Sequence, residues 1–264
     1  MRAFVESVAV LAPGLLGWDA ARAVLAGESP YAPTPLAPPA PSLLPAVERR
    51  RTGTTVKLAL AVGQEALASA GRETDSVATV FVSSGNDGDV INDICITLAG
   101  PDRQLSPTRF HNSVHNAPSG YWGIAAHSRH ASTSLCAYDW SFAIGLLEAM
   151  AQIQVEREEV MLVAYDTPYP LPLGGIRQVV EPFGTALLLT RNKTPKTVAG
   201  IAVSLDSRPG EVSRMDERGL ERLRVGNPCA HALPLLASLA GGKEKRVVLE
   251  RSASQTMTLD IQAP

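Results

Sequence analysis

The chain has 264 residues, of which 45% are hydrophobic and 19% charged, with a net charge of −2. That apolar content excludes global disorder and can fill a sizeable core, while the near-neutral balance argues against a surface for nucleic acid. Three widely spaced cysteines, Cys95, Cys136 and Cys229, indicate no disulfide framework. Because no apolar run reaches about 18 residues, we expect no membrane span and a cytoplasmic protein.

The first quarter of the chain predicts a strand, a helix and a long loop. Residues 3–11 are rich in Val and Ala and predict a buried strand, and a short helix follows at 19–25. Seven prolines fall within 30–45, which excludes a helix and a central strand there. We interpret this segment as an extended surface connector, with a peptide-recognition motif as the alternative. Apolar spacing then predicts a helix over 54–71.

Strands and helices alternate along the rest of the chain. Predicted strands occupy 76–83, 133–138, 159–165, 185–190, 197–205, 246–250 and 256–261, and predicted helices occupy 90–98, 139–155, 215–224 and 230–240. This order is typical of an α/β protein built on a central, largely buried sheet.

The most unusual segment, residues 106–130, holds four of the five histidines. His111 and His115 are four residues apart, so on a helix they share a face. The stretch lacks the glutamate of an HExxH motif, and we favour helix packing and subunit contacts over a metal site. Gly120 precedes Tyr121 and Trp122, which suggests a close backbone approach between large rings.

A second segment, residues 132–151, leads from a predicted strand directly into a buried helix. Helix N-termini stabilise anions, and a cysteine at such a turn becomes a nucleophile of low pKa. Asp139 occupies the predicted helix start, where it would cap the helix and oppose a thiolate. We therefore expect Cys136 to pack in the core as a strand residue, and a reactive Cys136 is the alternative.

Three segments resemble parts of the ketoacyl synthase family. LSPTRFHNSVHNAPSGYWGIA resembles its Ser-Pro and helix segment, STSLCAYDWSFAIGLLEAM its nucleophile strand and buried helix, and EPFGTALLLTR its later Pro-Phe segment. The HNSVHNAPSGYW stretch is most similar to synthase-like subunits of aryl polyene and xanthomonadin-type pigment clusters. The resemblance implies a thiolase-like α/β fold of two related halves. Residues 1–192 would be the ketoacyl synthase-like N-terminal domain, and 193–264 a truncated C-terminal portion.

The departures from the family pattern concern the catalytic residues. Aligning residues 143–145 with the family's Ala-Ile-Gly puts Ala137 at the nucleophile position and Cys136 one residue early. Strand side chains alternate, so this offset points the thiol the other way. The family's two histidine motifs are absent after residue 192, where His231 is the one histidine. The comparison with the family therefore implies that this chain has no catalytic residue.

The resemblance implies a chain-length-factor-like subunit, inactive alone, in a heterodimer with a full-length ketoacyl synthase. It would shape the partner's acyl tunnel in polyene biosynthesis, with acyl carrier protein as a transient partner and no cofactor or metal. Helical spacing puts Phe110, Ser113, Val114 and Ala117 on one face, and the resemblance implies that this segment lies at the dimer interface near the tunnel. Two alternatives stay open: a condensing enzyme or acyltransferase using Cys136, and a structural homodimer without substrate.

Overall fold

The computed structural model describes residues 1–85, 87–156, 158–206 and 210–264. Its strands are β1 (Arg2–Ala12), β2 (Leu15–Leu16), β3 (Ala78–Ser83), β4 (Ser132–Cys136), β5 (Glu159–Asp166), β6 (Phe183–Thr190), β7 (Ala199–Asp206), β8 (Lys245–Ser252) and β9 (Gln255–Gln262). Its helices are α1 (Trp18–Leu25), α2 (Ala46–Arg51), α3 (Thr54–Ala70), α4 (Gly88–Ala99), α5 (Pro107–Asn112), α6 (Ala117–Ala126), α7 (Ser141–Val155), α8 (Leu173–Ile176), α9 (Arg218–Gly226) and α10 (Leu233–Gly241). The predicted strands, and the predicted helices at 19–25, 54–71, 90–98, 139–155, 215–224 and 230–240, are each confirmed by a strand or helix at that place.

The strands form one mixed sheet in the order β4-β3-β5-β6-β1-β7-β9-β8, and β2 pairs with β1. β3 runs parallel to β4 and β5, whereas the other described pairs are antiparallel. β7, β8 and β9 join the sheet through the pairing of β1 with β7. The expected boundary after residue 192 falls in the turn between β6 and β7, and the division into two portions stays a prediction.

Helices cover both faces of the sheet, so its central strands are apolar on both sides. β3 and β6 are buried at every position. One core joins α7 and α10 to side chains such as Val82 and Leu162, and the other joins α3 and α6 to Phe81 and Tyr165. Neighbouring residues of one strand thus serve opposite cores, as the alternation of strand side chains requires. Within the described ranges, no helix has both the length and the apolar character needed to cross a bilayer.

The extended loop predicted at residues 30–45 is confirmed, because this segment contains no helix or strand. The Tyr31 hydroxyl donates to the Pro13 carbonyl at 2.7 Å, and Leu44 is buried. Gly14 has a φ of 73°, and a Cβ there would clash with the Ala32 carbonyl oxygen. The loop therefore packs against the turn after β1 at a point that admits only glycine.

Candidate functional site

A tight turn joins the end of β4 to the start of α7. After Cys136 the chain passes Ala137 and enters a 3-10 turn, Tyr138–Trp140, in which Tyr138 has a φ of 55°. The Ser141 hydroxyl accepts from the Ala137 N–H at 3.0 Å and donates to the Ser83 carbonyl at 2.9 Å. These bonds hold a left-handed backbone conformation that is strained for a tyrosine.

Cys136 is exposed, so the prediction that it packs in the core is wrong. The reason is the position of β4 at the edge of the sheet, where a strand has one strand neighbour instead of two. The pKa of the Cys136 thiol is raised, chiefly because partial desolvation disfavours the thiolate, although a backbone hydrogen bond from Tyr138 acts in the opposite direction. A cysteine nucleophile needs the opposite shift, so this turn does not activate the thiol.

Asp139 does not cap α7, and that prediction is also wrong: neither the 3-10 turn nor α7 has a side-chain cap hydrogen bond. The 3-10 turn moves the cap position of α7 to Trp140. Asp139 Oδ1 instead lies 2.6 Å from Arg177 Nη1. The Arg177 guanidinium also lies 3.7 Å from the centre of the Tyr138 ring. Arg177 therefore contacts two consecutive residues of the strained turn, Tyr138 and Asp139, and we call this arrangement the clamp.

The clamp borders a polar cleft of about 510 Å³, whose lining includes Asp139, Arg177, His231 and Glu250. The pKa of His231 is lowered, first because burial disfavours the imidazolium and second because the charge of Arg224 repels it. The cleft thus offers a neutral imidazole beside the turn, where it can exchange hydrogen bonds. Sequence reasoning did not place His231 here; its isolation in the apolar stretch NPCAHALP was the available signal.

The second candidate site lies on α5 and α6, which are separate helices. Pro118 falls in the first turn of α6, the part of a helix that tolerates proline, so α6 begins beside it. The predicted continuous helical face through residues 110–117 is therefore wrong. Phe110 and Val114 are 64% and 49% exposed, whereas Ala117 is buried, and Ser113 donates to the Phe110 carbonyl at 2.8 Å. The assignment of these four residues to an interface stays a prediction.

Phe110, Val114 and Ala117 instead line an open apolar groove of about 540 Å³. Gly120 and Ile124, which sequence reasoning did not select, continue the groove along α6. Gly120 lies three residues after Ala117, and Ile124 lies four residues after Gly120; this helical spacing was the signal that could have found them. A Cβ built at Gly120 meets no atom within 4 Å, so the close backbone approach expected there is wrong. Below the groove, buried Asn112 accepts from the Tyr121 hydroxyl at 2.9 Å and donates to the Arg51 carbonyl at 2.8 Å, which fixes α5 against α6 and α2.

Close to this helix pair, β4 forms one edge of the sheet, and its outer side pairs with no strand among the described residues. The Ser134 hydroxyl donates to the Ser119 hydroxyl at 2.9 Å and ties the strand to α6. None of the five residues of β4 carries a charge. We call this free edge and the α5–α6 groove together the β4 surface.

The opposite edge of the sheet is built differently. β8 carries Lys245, Arg246, Glu250 and Arg251, and its register with β9 shifts between Glu250 and Ser252. Charges and bulges are the means by which proteins protect an edge from pairing with another chain. The β4 edge has neither device, so it is the edge suited to a partner strand.

Comparison with known proteins gives a family and a fold. The beta-ketoacyl synthase N-terminal domain model matches residues 24–250. The structure of the ketosynthase ApeO in complex with its chain length factor ApeC from Xenorhabdus doucetiae is 23% identical, with 98% of this chain and 99% of that chain covered and a TM-score of 0.74. The ishigamide ketosynthase/chain length factor is 10% identical, with 99% of each chain covered and a TM-score of 0.69.

A third similar structure is AntDE:AntF, a type II polyketide acyl-carrier protein in complex with its ketosynthase bound to the hexaketide. It is 9% identical, with 100% of this chain and 99% of that chain covered and a TM-score of 0.77. No curated protein sequence matches the chain. The structural likenesses confirm the expected thiolase-like α/β fold. Because the family model extends over most of the sequence, the chain belongs to the beta-ketoacyl synthase family, in the N-terminal domain that the model describes.

Proposed function

We propose that the protein is a non-catalytic, chain-length-factor-like subunit that pairs with a full-length ketoacyl synthase in the cytoplasm. It shapes the partner's acyl tunnel during synthesis of a polyene of the aryl polyene type, and acyl carrier protein visits the pair transiently. Residues 1–192 form its synthase-like domain, and 193–264 form a C-terminal portion. The fold similarity to ketosynthase/chain length factor complexes supports this proposal.

The observation that carries the proposal is the β4 surface. It combines an unpaired, uncharged edge strand with a groove whose side chains Phe110, Val114 and Ile124 are each about half exposed or more. Exposed apolar groups beside a free edge favour burial against another chain, both through backbone pairing and through removal of apolar area from water. We expect a synthase subunit of the same fold to meet this surface with an edge strand of its own.

The turn after β4 supports the non-catalytic part of the proposal. Ala137, at the expected nucleophile position, has no group that can form a thioester. The adjacent Cys136 has a raised pKa, chiefly because partial desolvation disfavours its thiolate. The condensation chemistry therefore belongs to the partner, and this chain contributes shape.

Co-expression with a full-length ketosynthase encoded beside this chain tests the pairing. We expect the wild-type chain to co-elute with the synthase in gel filtration and Phe110→Asp to lose that co-elution, because the charge would be buried in the groove. Ile176→Asp is the matched control, since Ile176 is 88% exposed and lies outside the groove. A wild-type chain that stays monomeric beside the synthase, or that forms a homodimer and ignores it, contradicts the proposal.

Exposure of Cys136 favours one second candidate, an acyltransferase or condensing enzyme that uses this thiol. Its raised pKa argues against that activity, because the thiolate is the reactive form. Incubation with acyl-loaded carrier protein and intact-mass measurement decides between the two functions. We expect no acyl adduct on the wild-type chain. A stoichiometric adduct that Cys136→Ala abolishes and Cys95→Ala, at another exposed cysteine, retains would establish the enzyme.

A further inference from the structure

We propose that residues 210–216 form an intramolecular cover over the β8 edge of the sheet, and that this cover prevents β8 from pairing with β8 of a second copy of the chain. We call these residues the edge strap. The inference concerns the chain by itself and is independent of the proposed pairing with a synthase.

The edge strap is bonded to the middle of β8 on its outer side. The Ser213 N–H donates to the Val248 carbonyl at 3.0 Å, and the Val248 N–H donates to the Ser213 hydroxyl at 3.0 Å. In an antiparallel strand, the backbone groups of successive residues point alternately to one side and to the other. The backbone groups of Arg246, Val248 and Glu250 therefore face away from β9, and Ser213 occupies the central one of these three positions.

Charges and the edge strap protect different parts of this edge. The charged residues of β8 lie towards its two ends, with Lys245 and Arg246 at one end and Glu250 and Arg251 at the other. Residues 247–249 between them carry no charge, and two of the three are valines, which favour strand pairing. The strap thus covers the part of β8 whose own side chains do not oppose a second strand.

Contacts on either side of Ser213 hold the edge strap in place. The Gly210 N–H donates to the Thr256 hydroxyl on β9 at 3.1 Å, and the Met215 N–H donates to Glu221 Oε2 on α9 at 2.9 Å. The Met215 side chain also packs against the core that contains α7 and α10. Because these contacts lie outside β8, a substitution at Ser213 can uncover the edge without removing them.

Amide hydrogen exchange, followed by NMR, tests the cover at single residues. Ser213→Ala removes the acceptor of the Val248 N–H and should speed the exchange of that amide roughly two- to tenfold, the factor that corresponds to one neutral hydrogen bond. Ser76→Ala is the matched control, because the Ser76 hydroxyl donates to the Glu73 carbonyl in an exposed turn. It should leave the exchange of Val248 unchanged. Equal exchange of Val248 in Ser213→Ala and in the wild type would overturn the inference.

Self-association of the isolated chain tests the consequence. Ser213→Pro removes both bonds to β8, because proline has neither the hydroxyl nor the N–H. We add it to Lys245→Thr/Arg246→Thr, so that the cations at one end of β8 no longer oppose pairing. The Glu250 amide reports pairing at β8, since pairing at β4 would leave it unaffected. Its exchange should slow as the protein concentration rises, at a concentration roughly tenfold lower with Ser213→Pro than without it.

The same concentration dependence with and without Ser213→Pro would overturn the inference. If the proline variant does not fold, Ser213→Ala in the same double-variant background replaces it, with a smaller shift in the same direction, and the absence of any shift contradicts the cover. Neither result bears on pairing with a synthase, which the Phe110→Asp experiment decides.

Discussion

Arg177 connects two neighbours of the turn after β4 by different interactions. Its guanidinium pairs with Asp139 and stacks on Tyr138, and its side chain is only 17% exposed. An ion pair of this kind, with Asp139 itself 43% exposed, loses much of its Coulomb energy to solvent. Stacking on a ring is less sensitive to salt, because it depends on close contact and desolvation.

Asp139→Ala should therefore cost about 0.5 kcal/mol of stability at low salt and almost nothing at high salt. Arg177→Ala removes the stacking as well and should cost about 0.5 to 1 kcal/mol more at either salt. Urea midpoints of both variants and of the double variant measure the contributions of the ion pair and of the stacking. A salt-independent cost of about 1 kcal/mol in Asp139→Ala would instead indicate a helix cap.

Asp166 is a buried carboxyl at the end of β5. Its Oδ1 accepts hydrogen bonds from the Ser83 hydroxyl at 2.8 Å, the Ser84 N–H at 2.9 Å and the Ser84 hydroxyl at 3.0 Å. Burial nevertheless raises the pKa of Asp166 above its ordinary value of 3.8, since desolvation outweighs the donors, which include Cys229. The folded protein thus holds this proton more tightly than the unfolded chain does.

The sign of the linked pH dependence follows from that difference. The stabilising contribution of protonated Asp166 is fully present below pH 3.8 and is lost as the pH rises through the raised pKa. Asp166→Asn cannot titrate, so the wild type should lose stability relative to this variant as the pH rises from 3.8 into the neutral range. Urea unfolding of both proteins across that range, with Asp102→Asn as an exposed control, measures the difference. A difference that does not vary with pH would contradict the assignment.

The ion pair between Asp139 and Arg177 is an interaction that residue types and their spacing in the sequence cannot predict. Sequence reasoning placed Asp139 correctly at the turn, but its partner lies 38 residues away in an irregular segment. A cap is a local interaction and can be predicted from neighbours, whereas this ion pair depends on how the chain returns after β5. The same limit applies to His231, which reaches the cleft only through the packing of the last helices.

α7 lies close to the sheet because it carries Gly145 at the contact. A Cβ at this position would clash with Val82 Cγ1 and would lie 2.9 Å from Val82 Cγ2 and 3.1 Å from Leu162 Cδ1. The χ1 angle of a β-branched valine has little freedom, so Val82 cannot move aside easily. The glycine thus sets the distance between helix and sheet.

Gly145→Ala should destabilise the protein by about 1 to 3 kcal/mol, the usual range for overpacking. This loss outweighs the gain of about 0.5 to 1 kcal/mol that alanine brings to a helix interior. Gly123→Ala on α6 has room for its methyl group and should be neutral or stabilising. Urea midpoints of the two variants test the contrast, and a Gly145→Ala protein as stable as the wild type would refute it.

Periodicity predicted α3, α7 and the strands correctly, because their apolar spacing is long and regular. It failed across residues 106–126, where α5 has only six residues. Pro118 marked the start of α6, but the predicted face through residues 110–117 relied on spacing alone. Short helices separated by a turn have no common face, so exposure there follows from packing rather than from spacing.

The two ends of the sheet differ in their readiness to accept another strand. β4 carries no charge and pairs with β3 without a shift in register, whereas β8 carries charges and its register with β9 shifts near its end. If subunits pair through the β4 edge alone, the assembly stops at two subunits, because the charged β8 edge does not pair with a further strand. The complex with a synthase should therefore stay one-to-one as its concentration rises.

Removing the charges from β8 should relax that restriction over the part of the edge that Ser213, bonded to the N–H and carbonyl of Val248, does not cover. Lys245→Thr/Arg246→Thr keeps the strand propensity and takes two exposed cations from the edge. Sedimentation should then show species larger than the pair, in proportions that grow with concentration. Lys193→Thr/Arg218→Thr, which removes the same charge from exposed positions outside β8, should sediment like the wild type. Identical behaviour of the two double variants would mean that β8 is blocked by something other than its charges.

At the scale of the whole molecule, the sequence motifs predicted the family and the fold class, and periodicity predicted the order of elements. Neither predicted that β1 would pair with both β6 and β7 and so join all strands into one sheet. The apolar character of a strand shows that it is buried and does not name its neighbours. Strand order is settled by crossover geometry and by packing between distant parts of the chain.

The central place of β1 has a consequence for how the protein is made. β1 is synthesised well before the strands that flank it, β6 and β7, which lie at Phe183–Thr190 and Ala199–Asp206. For most of translation the apolar residues of β1 have neither β6 nor β7 to pair with, because these strands have not yet been synthesised. Contacts between residues so far apart in sequence also form slowly. The nascent chain therefore exposes an apolar central strand until its partners are made. Chaperone dependence in the cell should be set by β1 rather than by the surface that meets the partner.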